Sequence, residues 1–229
     1  MKSTFQRATI LLAALITASM AFSCTPRLVG EKKAKEAGLA LINRAFDVNE
    51  TDAEVTYAEY AGFSYVNGAI VQYGTEEPVR VYSVSIPQEN SENPLYYAMV
   101  NAETGFAYHA EKSESLLSPM SAEQQKQAEE LASIDVFSSE YDFSVDEYQK
   151  TLNESNPAGA AAEWVTEKFC PGEPTIATLE NGSMSDSVIA PRVCLEYSIV
   201  FVDGAVYQVS ISWPTMEIQM VSILSQNVQ

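Results

Sequence analysis

The sequence predicts an α+β protein, two helix-plus-antiparallel-sheet units joined by a helical connector. Three observations carry that prediction. The first is Leu195–Trp213, read L-E-Y-S-I-V-F-V-D-G-A-V-Y-Q-V-S-I-S-W. Its two arms are rich in Ile, Val, Phe and Tyr, which favour strands, and Asp203-Gly204 between them is a hairpin turn signal. The second is a looser copy earlier in the chain, Val79–Pro87, a polar loop, and Leu95–Gly105. The third is context: each copy follows an amphipathic helix and precedes one more strand.

The chain opens with an export signal. Lys2 and Arg7 form a positive start, and Ala8–Phe22 is an apolar run of about fifteen residues. That is short of the roughly 18–20 residues of a permanent membrane helix, so a cleaved signal over residues 1–23 is expected. The segment M-A-F-S-C, ending at Cys24, resembles the lipobox of bacterial lipoproteins. The resemblance implies diacylglycerol on Cys24 and a membrane-anchored, extracytoplasmic protein. Several acyl chains on one cysteine anchor stably where a single chain does not.

With 31 acidic and 13 basic residues the net charge is −18, and losing Lys2 and Arg7 with the signal takes it to −20. A field of that sign repels polyanions, which excludes nucleic acid as a partner. Arg27, Lys32, Lys33 and Lys35 cluster beside the anchor, either against anionic head groups or as an ordinary solvated helix start.

The first helix is expected over Glu31–Phe46, where Ala34, Ala37, Gly38, Leu41, Ile42, Ala45 and Phe46 make one apolar face. Gly38 weakens the helix slightly and permits a close approach to what it packs on. Asp47-Val48-Asn49 closes it. Strands follow at Ala53–Tyr60 and Phe63–Tyr73, with Ala61-Gly62 and Asn67-Gly68 as turn signals, then the first hairpin and a strand at Phe106–Glu111. Unit 1 spans 24–116. The connector, 117–155, contains Ser121-Ala122-Glu123-Gln124, a capping box opening a helix to about Ala132, and enough aromatics to pack on a core. Unit 2, 156–229, begins at Asn156-Pro157, with Pro at the first helical position, and its helix buries Ala160, Ala161, Trp164, Val165 and Phe169. A strand at Thr175–Leu179, a polar loop at Asn181–Ser187, the hairpin and a strand at Glu217–Leu224 complete it.

A two-residue type I′ turn at Asp203-Gly204 pairs Val202 with Ala205, Val200 with Tyr207 and Ser198 with Val209. Both hairpin faces are then at least half apolar, so a cover is expected over the second one. Tyr197, Ile199, Phe201 and Tyr207 are accordingly candidates for a partner-binding face.

The order helix, strand, strand and strand closed by Thr-Gly resembles the PepSY domain, a cystatin-like layout. The match rests on Tyr97–Gly105, Y-A-M-V-N-A-E-T-G, and on the upstream helix A-K-E-A-G-L-A-L. It covers about 80 residues of unit 1. Unit 2 shares the layout only, with Ser212-Trp213-Pro214-Thr215 where Thr-Gly is expected. The resemblance implies a helix packed on a small antiparallel sheet, no catalysis, and regulation or inhibition of a peptidase.

Chemistry-bearing motifs are sparse. His109 is the one histidine, which rules out multi-histidine metal sites, and no G-x-S-x-G turn accompanies it. It reads as a surface or edge residue. Asp47–Asp52 alternates oxygens as a calcium loop does, but Asp52 stands at the glycine position and Ala58 at the final glutamate. No phosphate-binding or dinucleotide motif occurs, so neither cofactor nor metal is expected. Outside the cytoplasm Cys170 and Cys194 form either a disulfide, the favoured reading, or two buried thiols.

The function these features suggest is a non-catalytic binding protein at the cell envelope, holding a protein partner such as a peptidase. An assembly lipoprotein docking on an envelope complex is the alternative, and a hydrolase using two facing carboxylates a third.

Overall fold

The structure, a computed structural model, describes residues 27–60, 63–66, 69–72, 78–132, 150, 152, 154–169, 172–185 and 192–225. The expected signal segment and Cys24 lie outside these residues.

The α+β class holds. Helix α1 is Glu31–Phe46, and Asp47 closes it in the left-handed conformation (φ 53°). Strands β1 (Glu54–Tyr60), β2 (Phe63–Val66), β3 (Ala69–Gln72), β4 (Val79–Ile86), β5 (Tyr96–Asn101) and β6 (Ala107–Lys112) follow. A short 3-10 turn at Glu114–Leu116 leads to α2 (Ala122–Ala132) and α3 (Pro157–Phe169). The chain ends with β7 (Pro174–Ser185), β8 (Arg192–Phe201), β9 (Val206–Trp213) and β10 (Glu217–Ser225). The capping box of α2 forms in both directions: Gln124 N–H donates to Ser121 Oγ (3.2 Å) and Ser121 N–H to Gln124 Oε1 (2.9 Å). At α3, Asn156 Oδ1 accepts from Gly159 N–H (3.1 Å) ahead of the first turn.

Eight strands make one antiparallel sheet in the order β1-β4-β5-β6-β10-β9-β8-β7, and β2 pairs with β3 separately, Val66 opposite Ala69. Each outer group is an up-and-down run, and the runs meet where β6 pairs with β10: His109 opposite Ser222, Ala110 opposite Val221, Glu111 opposite Met220.

Directly opposed residues share a face, so the register shows where the core lies. One row crosses all eight strands as Val55, Val84, Ala98, Ala110, Val221, Val209, Tyr197 and Leu179. Every member is apolar or aromatic. The next row, on the opposite face, reads Thr56, Ser83, Met99, His109, Ser222, Gln208, Ser198 and Thr178, polar except for Met99. A sheet covered on one side should alternate in this way. Helix α1 packs against β4, β5, β6 and β1, and α3 against β7, β8 and β9. The buried residues beneath both helices form one continuous cluster, joined by Met120, Ala128 and Leu152 from the segment between the two groups of strands. Each large apolar side chain fully buried there, Ile42, Leu195, Ile199 and Ile211 among them, contributes roughly 1.5–3 kcal/mol.

The turn at Asp203-Gly204 departs from the expected one. Phe201 N–H donates to Ala205 O (2.9 Å) and Gly204 N–H to Phe201 O (2.9 Å), with Gly204 at φ 85°. The loop is therefore three residues, Val202-Asp203-Gly204, a type I turn ending in a left-handed glycine bulge. The extra residue moves the register by one: Tyr207 pairs with Ile199, not Val200, and Gln208 with Ser198. That shift places Tyr207 on the same face as Tyr197, Ile199 and Phe201.

One further expectation changes. The loop expected from Asn181 is strand through Ser185, because a register shift between Leu179 and Asn181 lets β7 stay paired with β8. The run Phe63–Tyr73 holds two short strands, β2 and β3, on either side of its Asn67-Gly68 turn signal.

Candidate binding cleft between the two helices

On the helix-bearing side, above the β6–β10 seam, a cleft of about 370 Å³ opens between the end of α1 and the middle of α3. Its wall carries Phe46 from α1, Tyr96 from the start of β5, Trp164 from α3 and Met216 from the β9–β10 turn. Ala45, Leu116 and Ile218 add apolar surface, and Asp47, Lys112 and Glu217 are the charged members. Local rules put these residues there. Trp164 is at the rim of a helix whose Ala161 and Val165 are buried, and Phe46 is the last residue before Asp47 turns the chain away. Phe46 and Tyr96 rings lie 5.6 Å apart, and Trp164 meets Phe169 edge-on at 5.8 Å. An open cleft that mixes aromatic side chains with polar surface suits one protruding side chain.

Three ties fix the cleft. Glu217 accepts from Ser118 N–H (3.0 Å to Oε1) and from Lys112 Nζ (3.3 Å to Oε2), joining β10, the connecting segment and β6. Burial pushes the Glu217 carboxyl up, but the bonds from Ser118 and the Lys112 ammonium outweigh it and hold the carboxyl below its usual value. Lys168 Nζ donates to both Asp47 oxygens (2.8 and 2.6 Å), linking the ends of α3 and α1. Arg44 donates to Lys168 O, and its guanidinium carbon lies 4.7 Å from the Phe169 ring centroid, a cation–π contact across the same two helices.

The opposite, helix-free face has a more polar pocket of about 410 Å³, lined by Asn93, Pro94, Tyr97, Glu111, Lys112, Ser113, Glu114 and Gln219. His109 and Ser222 meet beside it, Nδ1 to Oγ 2.9 Å, with Glu111 Oε2 3.8 Å from the His109 Nε2. The trio has the composition of a nucleophile–base–acid relay without its geometry. Ser222 is 7% exposed within a paired strand, and 3.8 Å is too long for the orienting hydrogen bond. His109 is neither surface nor edge: it is half-buried at the seam and bridges β6 to β10.

The candidate partner face from the hairpin is core. Tyr197, Ile199, Phe201 and Tyr207 are 3, 0, 2 and 2% exposed. Phe169 of α3 lies on Tyr207 with ring centroids 5.3 Å apart. The one-residue register shift puts all four on the single face that α3 covers; the two-sided apolarity, and the second cover it suggested, belonged to the two-residue turn. Cys194 is a free thiol that donates to Gln219 Oε1 (3.3 Å) on the helix-free face. Burial, reinforced by Glu114 and Glu196, pushes its pKa up to about 11. The expected Cys170–Cys194 bridge is thus absent at Cys194, whose strand position points it away from the face α3 occupies; Cys170 lies outside the described residues.

No family model, curated protein or solved structure matches this chain. Among the described residues no group of three or more His, Cys, Asp or Glu is placed to hold a metal ion, and no helix is long and apolar enough to cross a membrane.

Sequence reasoning assigned Trp164 and Phe46 to buried helix faces and did not single out Tyr96 or Met216. The one available signal was position. Trp164 and Phe46 fall at the margins of their apolar stripes, where a ring is half-covered by its own helix.

Proposed function

We propose that this chain is a non-catalytic, lipid-anchored extracytoplasmic binding protein of two PepSY-like units, and that it holds a peptidase of the envelope through the cleft between α1 and α3. The observation carrying this reading is the cleft itself: seven of its ten wall residues are apolar or aromatic, and they come from both groups of strands and both helices.

The two-unit layout draws support from the order of elements, α1-β1-β4-β5-β6 against α3-β7-β8-β9-β10. The closing turns also correspond. Gly105 N–H donates to Asn101 O and Met216 N–H to Ser212 O, both at 2.8 Å, with Gly105 at φ 78° and Met216 at φ 61°. Thr215-Met216 therefore stands where Thr104-Gly105 stands in the first turn. In that first turn Asn101 Oδ1 also accepts from Glu103 N–H and Thr104 N–H, a physical use for the Asn of N-x-x-T-G.

Two measurements test the proposal. Cys24→Ser should move the protein from the membrane to the soluble fraction; a protein that stays membrane-bound refutes the anchor. Purified 25–229 should lower the activity of an envelope peptidase, and Trp164→Ala should relieve that inhibition. No change in any envelope peptidase at saturating protein would refute the regulator role, whatever the outcome at Cys24.

A further inference from the structure

The cleft has a composition suited to a particular chemistry. Three aromatic residues, Phe46, Tyr96 and Trp164, and the thioether of Met216 surround it. Aromatic rings attract cations through their quadrupoles, most strongly when water is excluded. The same helix pair already uses this attraction once, with Arg44 held against Phe169 next to Trp164.

Charge around the cleft points the same way. Lys112 is engaged by Glu217 (3.3 Å) and Lys168 by Asp47 (2.6 Å), so the ammoniums nearby are already neutralised. Glu50 has no ion pair among the described residues: its backbone is clasped by Asn43, whose Oδ1 accepts from Glu50 N–H and whose amide donates to Glu50 O. Glu50 is outside the cleft wall; at the wall, burial first and then the Glu50 carboxylate raise the Tyr96 phenol pKa. The chain as a whole, at −18, attracts basic partners over a longer range.

We infer that the cleft receives a cationic side chain, a lysine or arginine with its apolar shank, presented by a basic segment of a partner protein. The shank fills the apolar wall and the charge rests against the rings on the Glu50 side. This rests on the binding-protein reading for the identity of the partner. The cleft's own preference is independent of both the anchor and any peptidase.

The test is a titration of purified 25–229 with n-butylammonium, n-propylguanidinium, n-butanol and butyrate. Aromatic and backbone NMR shifts of Phe46, Tyr96 and Trp164 provide the readout. Either cation should saturate those shifts, with the better one telling lysine from arginine. The alcohol should bind at least about five-fold more weakly, and butyrate more weakly still. Glu50→Gln should weaken the cations about three-fold and leave the alcohol unchanged. Lys112→Met, which removes the resident ammonium, should tighten them, a gain that misfolding cannot mimic. Equal binding of alcohol and cation, preference for butyrate, or no shift at these residues with any probe would overturn the inference. Success here with no inhibition of a peptidase would retain the cation site and remove only the regulator role.

Discussion

Replacing Gly38 by alanine sets two physical effects against each other, and the structure decides their sign. In an isolated helix the change is favourable by about 1 kcal/mol, because alanine loses less backbone entropy. In this fold a Cβ at Gly38 would lie 2.7 Å from Val84 Cβ and Cγ2 and 2.9 Å from Cγ1. Carbon atoms settle at roughly 3.5–4.0 Å, so α1 must retreat by about an ångström or Val84 must yield. Val84 is fully buried between Val55 and Ala98 and its offending atoms are at the root of the side chain, so it has nowhere to swing. Overpacking of this kind costs about 1–3 kcal/mol, and retreat also loosens the apolar row beneath the helix. We expect Gly38→Ala to destabilise by up to about 2 kcal/mol net. Val84→Ala alone leaves a cavity and costs a similar or larger amount. It also removes both Cγ atoms from the clash, so the double variant should be more stable than the sum by at least about 0.5 kcal/mol. Urea unfolding of 25–229 followed by far-ultraviolet circular dichroism measures all three. A raised midpoint for Gly38→Ala, or strict additivity in the cycle, would refute the close packing of α1 on β4.

Other consequences are as direct. Glu217→Gln should lower stability at neutral pH by about 1–2 kcal/mol, because it removes the charge that Lys112 and Ser118 solvate. The Glu217 carboxyl is depressed in the fold, so its contribution is complete above the ordinary value of 4.5 and is lost as pH falls through the lower folded value. Wild type should therefore lose its advantage over the variant below that pH, and a constant difference down to pH 3 would contradict it. With a pKa of about 11, Cys194 is roughly one part in a thousand thiolate at pH 8. A protein whose other two cysteines are serine should react with a thiol-specific reagent orders of magnitude more slowly folded than in urea; equal rates would refute the burial. Phe201→Asp should abolish cooperative unfolding rather than merely release a partner, since it puts a carboxylate beneath α3 where Phe201 meets Tyr207 edge-on at 5.6 Å. A stably folded variant with an unchanged melting temperature would return that face to the list of docking surfaces.

What was legible in the chain was whatever neighbours within a few residues decide. Glu31–Phe46 emerges as a helix with its expected limits because its apolar spacing, the close-packing glycine and the closing Asp47 are all local. The capping box of α2 and the Pro157 start of α3 are legible for the same reason. The hairpin between β8 and β9 was legible as a hairpin, and its register was not. Asp-Gly serves both a two-residue turn and a three-residue turn with a glycine bulge, and their local energies are close. The choice falls to the core: the longer turn puts Tyr207, Val209 and Ile211 on the same face as Tyr197, Ile199 and Phe201, under α3. A single-residue slip exchanges every side chain between core and solvent, so tertiary burial settles what the turn leaves open. The cleft was less legible still. Phe46, Tyr96, Trp164 and Met216 come from separate elements and meet because β6 pairs with β10 through three residue pairs. That seam depends on the join of two edges far apart in the chain, for which no local pattern codes. By itself the sequence determined the elements, the acidic surface and the poverty of catalytic motifs. Only the tertiary structure decided which faces were buried and where an aromatic surface stayed open, because those follow from contacts between residues a hundred positions apart.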